Sequence, residues 1–177
     1  ISILDDESVP RVTLTVSATS IAENAGTSLT LTATLSKTAS EDVTVTLGTS
    51  GAATEGTDYG SLSNITVTAG SLTGTTTFTP TDDSIYDATS NETATVSIDS
   101  VSGGDALENG TQSVTITITD NESAPTVTLS RSAAAIDENS SSTVTITATL
   151  SNATYQDVTV SIGASGGTEG TDYATIS

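Results

Sequence analysis

Acidic side chains in this sequence cluster at the ends of apolar stretches, and carboxylates grouped in this way could bind a cation. The pair Asp82-Asp83 follows a proline, and the triplet Asp120-Asn121-Glu122 closes a run of alternating apolar residues. Calcium takes about six to eight oxygen ligands, supplied by carboxylates, carbonyls and water. Carboxylates packed together would repel one another without a cation. We therefore expect calcium to bind at these acidic clusters.

A solvated turn is the alternative explanation for any one of these acids. Aspartate is a common turn residue, because its side chain bonds the nearby backbone. For a single aspartate this explanation is at least as good as a metal ligand. A metal site is supported by the grouping of several acids and not by any single residue.

Paired carboxylates could also perform acid–base chemistry, as they do in glycoside hydrolysis. However, adjacent residues of one strand point to opposite faces, and no nucleophile–base pair accompanies Asp82 and Asp83. The sequence has no His and no Cys, which removes the usual general base at neutral pH and all thiolate chemistry. We expect no enzymatic activity.

The charge balance excludes several classes of partner. The chain of 177 residues has 22 acidic and 3 basic residues, for a formal net charge of −19. Binding to nucleic acids or to anionic lipid surfaces requires clustered Lys and Arg. No apolar run approaches the roughly 20 residues of a membrane-spanning helix. We therefore expect neither a nucleic-acid partner nor membrane insertion.

The sequence repeats itself at an offset of 115 residues, as Ile118 repeats Ile3. The same offset relates Val12-Thr13-Leu14 to Val127-Thr128-Leu129. The segment Thr54-Glu55-Gly56-Thr57-Asp58-Tyr59 recurs at 168–173 after a one-residue deletion. A repeat of this length has the size of a domain.

The repeat offset predicts that the chain consists of three parts. Residues 1–8 are expected to be the last strand and linker of a preceding repeat. Residues 9–122 form one complete repeat, and residues 123–177 form the first half of the next. Because the linkers are short, neighbouring repeats are expected to touch.

Alternation of apolar and polar residues predicts about seven short strands in the complete repeat. One apolar face per strand is typical of an all-β sandwich, and Thr suits the outward positions. Tyr59 and Tyr173 are expected to pack at the sandwich edge. The predicted strands are residues 12–16, 29–35, 43–47, 65–67, 96–98 and 114–118, with 76–78 as a weaker candidate.

Four segments together resemble the Calx-β family. In order, they are residues 21–26 (Ile-Ala-Glu-Asn-Ala-Gly), 56–59 (Gly-Thr-Asp-Tyr), 82–87 (Asp-Asp-Ser-Ile-Tyr-Asp) and 118–122 (Ile-Thr-Asp-Asn-Glu). The order and spacing fit across the complete repeat. One departure is the thin acidic run after Asp87, which predicts fewer ions or weaker binding.

The resemblance implies tandem immunoglobulin-like β-sandwiches, with calcium at the end where the last strand leaves. It also implies a ligand set in each repeat. The ligands would be Glu23, Asp58, Asp82, Asp83, Asp87 and Asp120, with Asn121 and Glu122 as additional candidates; Glu138 and Asp172 in the next repeat; and Asp5, Asp6 and Glu7 in the preceding one.

The resemblance further implies a role, because the family forms tandem arrays in large bacterial surface proteins. We expect a structural calcium-binding repeat of a secreted or cell-surface adhesin, in which calcium stiffens the array. Its partners would then be the neighbouring repeats. One alternative is a filament subunit, in which other copies of the chain supply missing strands. Another is a cation-independent spacer or a carbohydrate-binding module.

Overall fold

The computed structural model describes residues 8–87 and 91–173. These residues form strands joined by turns and one short 3-10 turn, Glu23–Ala25, with no α-helix among them. Within this part of the chain, no helix has the length and apolar character needed to cross a membrane. In chain order the strands are β1 (Arg11–Val16), β2 (Ser20–Ala22), β3 (Leu29–Leu35), β4 (Val43–Gly51), β5 (Ile65–Val67), β6 (Thr73–Phe78), β7 (Ile85–Tyr86), β8 (Asn91–Ser102), β9 (Leu107–Glu108), β10 (Ser113–Thr119), β11 (Val127–Arg131), β12 (Ile146–Leu150) and β13 (Ala153–Thr154).

The described residues divide into two compact units. The first contains residues 8–83 and 91–121, and the second contains residues 84–87 and 122–173. The predicted limits of the sequence repeats stay a prediction, since they were defined by sequence similarity and the units by spatial proximity.

Two sheets form the first unit. One has the order β6-β3-β1-β9, and the other has the order β2-β10-β8-β4-β5. The long neighbours pair antiparallel, whereas the short strands β2 and β9 pair parallel to β10 and β1. This confirms the predicted all-β sandwich, and each of the seven predicted strands is present. The strands β2 and β9 were not predicted, because Ser20–Ala22 and Leu107–Glu108 contain no apolar–polar–apolar alternation.

The core of the first unit lies between the two sheets and is built from alternate residues. In β3, for example, Leu29, Leu31 and Leu35 are buried while the intervening threonines are partly exposed. Tyr59 is also buried and stacks on Phe78, with ring centroids 4.6 Å apart. It therefore lies deeper than the edge position expected from the sequence.

The second unit contains two separate strand pairs. Strand β11 pairs antiparallel with β12, and β13 pairs parallel with β7. The register Thr128↔Thr149 repeats Thr13↔Thr34 of the first unit, at the offset of the sequence repeat.

Candidate metal site

A parallel strand pair brings two of the predicted ligands together. The register of β2 and β10 matches Ile21 with Ile118 and Ala22 with Thr119. One further step along both strands places Glu23 beside Asp120. The pairing thus joins carboxylates that are about a hundred residues apart in the chain.

Glu23, Asp120 and Glu122 form the acidic cluster. Each offers a carboxylate oxygen, and these oxygens lie within 4.8 Å of one another. All three side chains are half-buried, and the Oε2 atom of Glu122 is buried. Glu122 is kept near Asp120 by chain connectivity, because only one residue separates them. The cluster therefore concentrates three carboxyl groups at the exit of β10.

The donor set of the acidic cluster fits calcium. Calcium–oxygen distances are about 2.3–2.6 Å, so two ligands of one ion lie no more than about 5 Å apart. The mutual distances in the cluster meet this limit. Carboxylates can bind calcium through one or both oxygens, so three of them supply three to six ligands at most, and backbone carbonyls or water would complete the shell.

Glu23 is oriented by the backbone around it. It begins the 3-10 turn, which ends at Gly26 in the left-handed region with φ 62°. The backbone amide of Asn121 donates a hydrogen bond to Oε1 of Glu23 at 3.3 Å. Asn121 thus contacts the cluster through its backbone amide. The role of Asn121 as an additional calcium ligand, which the resemblance implies, stays a prediction.

A groove of about 230 Å³ opens beside Glu23, and Asp82 lies on its wall. The hydroxyls of Ser28 and Thr79 also line it and are 2.7 Å apart. Asp82 thus lies on the same groove as Glu23, and its assignment as a calcium ligand stays a prediction. No sequence pattern singles out Ser28 or Thr79 among the many hydroxyl residues of the chain, so they were missed.

Asp58 is held inside its own loop. Its Oδ2 accepts a hydrogen bond of 2.6 Å from the backbone amide of Thr54. The same bond recurs in the second unit, where the amide of Thr168 donates to Asp172 at 2.8 Å. In both loops the carboxylate closes a turn of the chain, which is a structural role that does not need a metal.

The remaining predicted ligands are dispersed. Asp83 is exposed, and Asp87 belongs to the second unit. Glu138 is exposed in a turn of the second unit, where the described residues give no acidic cluster around it. Asp5 and Asp6 lie outside the described residues. For all of these the assignment as calcium ligands stays a prediction.

Comparison with solved structures finds similar folds. The chain is similar to the apo form of the Calx CBD1 domain, with a TM-score of 0.53, 19% identity, and coverage of 64% of this chain and 99% of that one. It is similar to CBD12 from CALX1.2, with a TM-score of 0.52, 20% identity and coverage of 62% and 44%. A third match is the calcium binding domain CBD12 of CALX1.1, with a TM-score of 0.48, 21% identity and coverage of 58% and 42%.

These similarities establish the fold, which is that of the Calx β-sandwiches. No family model matches the sequence, and no curated protein matches it either.

Proposed function

We propose that the acidic cluster at the end of β10 binds calcium, with Glu23, Asp120 and Glu122 as the central ligands. The observation that carries the proposal is the convergence of these three carboxylates within 4.8 Å. The Calx-β-like sequence segments and the similarity of fold to the Calx domains support the same choice of ion.

Calcium bound there would act mainly on structure. It would tie the end of β10 to the turn after β2, where the chain leaves the sandwich. An ion that binds only the folded form stabilises it by mass action. It would also neutralise charge in a chain with a net charge of −19, and the backbone leaving β10 would become stiffer.

The larger role that fits these properties is a structural repeat of an extracellular, cell-surface adhesin. Support comes from the internal sequence repeat and the acidic, cysteine-free composition. In that setting the partners are neighbouring repeats, and calcium stiffens the array they form.

Calcium titration by calorimetry and thermal unfolding tests the site in the chain of residues 1–177. We expect calcium to raise the unfolding temperature of the first unit more than magnesium does at equal ionic strength. Magnesium demands a smaller octahedral shell and gives up its waters reluctantly. The shift should be lost in Asp120→Asn, which removes a charge with little change in shape.

Asp99→Asn is the matched control, because Asp99 is an exposed acid outside the acidic cluster. Asp99→Asn should leave unchanged both the calcium affinity and the rise in unfolding temperature that calcium causes. Equal responses of the two variants would refute the assignment of the site. Equal shifts with calcium and magnesium would favour a cation-independent spacer with solvated acids.

A further inference from the structure

The turn between β9 and β10 contains the only asparagine of the sequence that is followed by glycine, Asn109-Gly110. The other asparagines are followed by Ala, Ile, Glu or Ser. Asparagine is one of the chemically labile residues of proteins, because the backbone nitrogen of the next residue can attack its side-chain carbonyl carbon. A side chain on that next residue hinders the attack, and glycine has none.

The backbone nitrogen of Gly110 is accessible in the structure. Asn109 and Gly110 are both exposed, and a Cβ atom added to Gly110 would meet no other atom within 4 Å. Within the described residues, the amide of Gly110 donates no hydrogen bond to a backbone carbonyl. The nitrogen is thus neither shielded by packing nor held by a backbone acceptor.

The turn itself accounts for the glycine. Gly110 has φ 69°, a left-handed conformation that glycine adopts without the steric cost of a side chain. The conformation that the fold needs at position 110 therefore selects the residue type that makes Asn109 reactive.

Hydrogen bonds tie this turn to β1 on both sides. The backbone amide of Asn109 donates to the carbonyl oxygen of Val12 at 2.9 Å. The side-chain amide of Gln112 donates to the carbonyl oxygen of Asn109 at 2.7 Å, and its Oε1 accepts from the amide of Leu14 at 3.4 Å. A change in the backbone at position 109 would therefore reach the pairing of β9 with β1.

We propose that Asn109 is a site of spontaneous covalent modification, in which it loses its side-chain amide as ammonia. The Gly110 nitrogen gives up its proton to a base in solution and bonds to Cγ of Asn109. The bond from Cγ to the side-chain nitrogen breaks, and that nitrogen leaves as ammonia with the proton returned from solution. The product is a cyclic succinimide.

Water then opens the succinimide at either of its two carbonyl carbons. Breaking the bond from Cγ to the Gly110 nitrogen leaves an aspartyl residue. Breaking the bond from the main-chain carbonyl carbon leaves an isoaspartyl residue, whose backbone runs through Cγ and is longer by one methylene. Overall, one water is consumed and one ammonia is released, with no oxidant or reductant.

Both products add a negative charge to a chain whose net charge is already −19. The isoaspartyl product also turns the main-chain carbonyl that accepts from Gln112 into a free carboxylate. We expect its longer backbone to weaken the bond from position 109 to Val12 and the pairing of β9 with β1. The modification does not depend on a bound cation.

Mass spectrometry of the full chain tests the proposal after incubation of the folded protein at mildly alkaline pH, which favours loss of the amide proton. Asn24 is the matched internal control, because it is exposed in a turn of the same unit and is followed by Ala25. Cleavage after glutamate gives fragments 24–41 and 109–122. We expect the mass increase for replacement of NH2 by OH at Asn109 and not at Asn24.

Two variants separate the reaction from its structural effect. Asn109→Gln should abolish the modification, because attack by the Gly110 nitrogen would have to close a larger ring. Asn109→Asp supplies the new charge without the longer backbone. The isoaspartyl form, recognised by an isoaspartyl methyltransferase and separated by anion exchange, should unfold at a lower urea concentration than Asn109→Asp.

An intact Asn109 in the folded chain, together with modification in the urea-unfolded chain, would mean that the fold protects the site and would overturn the proposal. Equal modification of Asn24 and Asn109 would also overturn it, because the following glycine would then not matter. Equal urea midpoints of the isoaspartyl form and Asn109→Asp would overturn the predicted effect on the pairing of β9 with β1.

Discussion

At the scale of single residues, the acids of this chain differ by what their carboxylates contact. Glu23 and Asp120 meet across a parallel strand pair, beside Glu122. Asp58 and Asp172 instead accept hydrogen bonds from backbone amides of their own loops. Glu23 also accepts a backbone hydrogen bond, from Asn121, but it lies beside two other carboxylates, and a cation would relieve the repulsion among them. Residue type alone does not separate these two roles.

The loop role of Asp58 predicts a loss of stability that calcium does not explain. Asp58→Ala removes the acceptor for the Thr54 amide and should destabilise the first unit by about 1 kcal/mol, a typical net value for one hydrogen bond. Denaturant unfolding in the presence of a calcium chelator measures this loss of stability. Asp58→Asn keeps an oxygen acceptor and should recover part of the loss. A loss seen only with calcium present would instead make Asp58 a ligand.

At the scale of elements, close approach of two strands closes one side of the sandwich. Gly74 of β6 belongs to one sheet, and Thr66 of β5 belongs to the other. A Cβ atom at position 74 would collide with the carbonyl oxygen of Thr66. The absence of a side chain at Gly74 therefore lets the edges of the two sheets meet.

Gly74→Ala should accordingly destabilise the first unit by about 1–3 kcal/mol, the usual cost of overpacking. Equilibrium unfolding in urea measures the change. Gly60→Ala is the matched control, because the nearest atom to its added Cβ is the Thr79 oxygen at 3.9 Å. Gly60→Ala should leave the free energy of unfolding almost unchanged. Similar costs at both positions would mean that the close approach at the sheet edge is not what requires glycine.

At the scale of the whole molecule, the charge opposes compactness. The net charge of −19 comes from 22 acidic and 3 basic residues. Repulsion among like charges destabilises the compact state of a protein. Dissolved salt and a bound divalent cation relieve this repulsion in different ways, because screening acts on all charges and binding acts at one place.

Salt alone should therefore stabilise the chain when no calcium is present. Raising NaCl from about 0.01 M to about 0.15 M shortens the screening length from about 30 Å to about 8 Å. We expect the unfolding temperature to rise by several degrees, since about 1 kcal/mol corresponds to about 4–8 °C for a domain of about 60–100 residues and to about 2–4 °C for one of about 150–250 residues. Differential scanning calorimetry at two salt concentrations with a chelator tests this. No rise would mean that the acids are too far apart to destabilise the fold.

The sequence by itself determined the strands and the sandwich. Alternation of period two is a local property, so the long strands β1, β3, β4, β8 and β10 were predictable from their own residues. Glu23 and Asp120 were predicted as calcium ligands because their motifs resemble those of a known family. The distance between them could not be read from the sequence.

Only the tertiary structure decided which acids meet. The contact of Glu23 with the end of β10 depends on the short strand β2, whose residues do not alternate between apolar and polar. Sheet order and register, set by packing of the whole core, bring these distant residues together. The same packing buries Leu14 and leaves its equivalent Leu129 exposed, because burial depends on the strands that cover a residue and not on the residue itself.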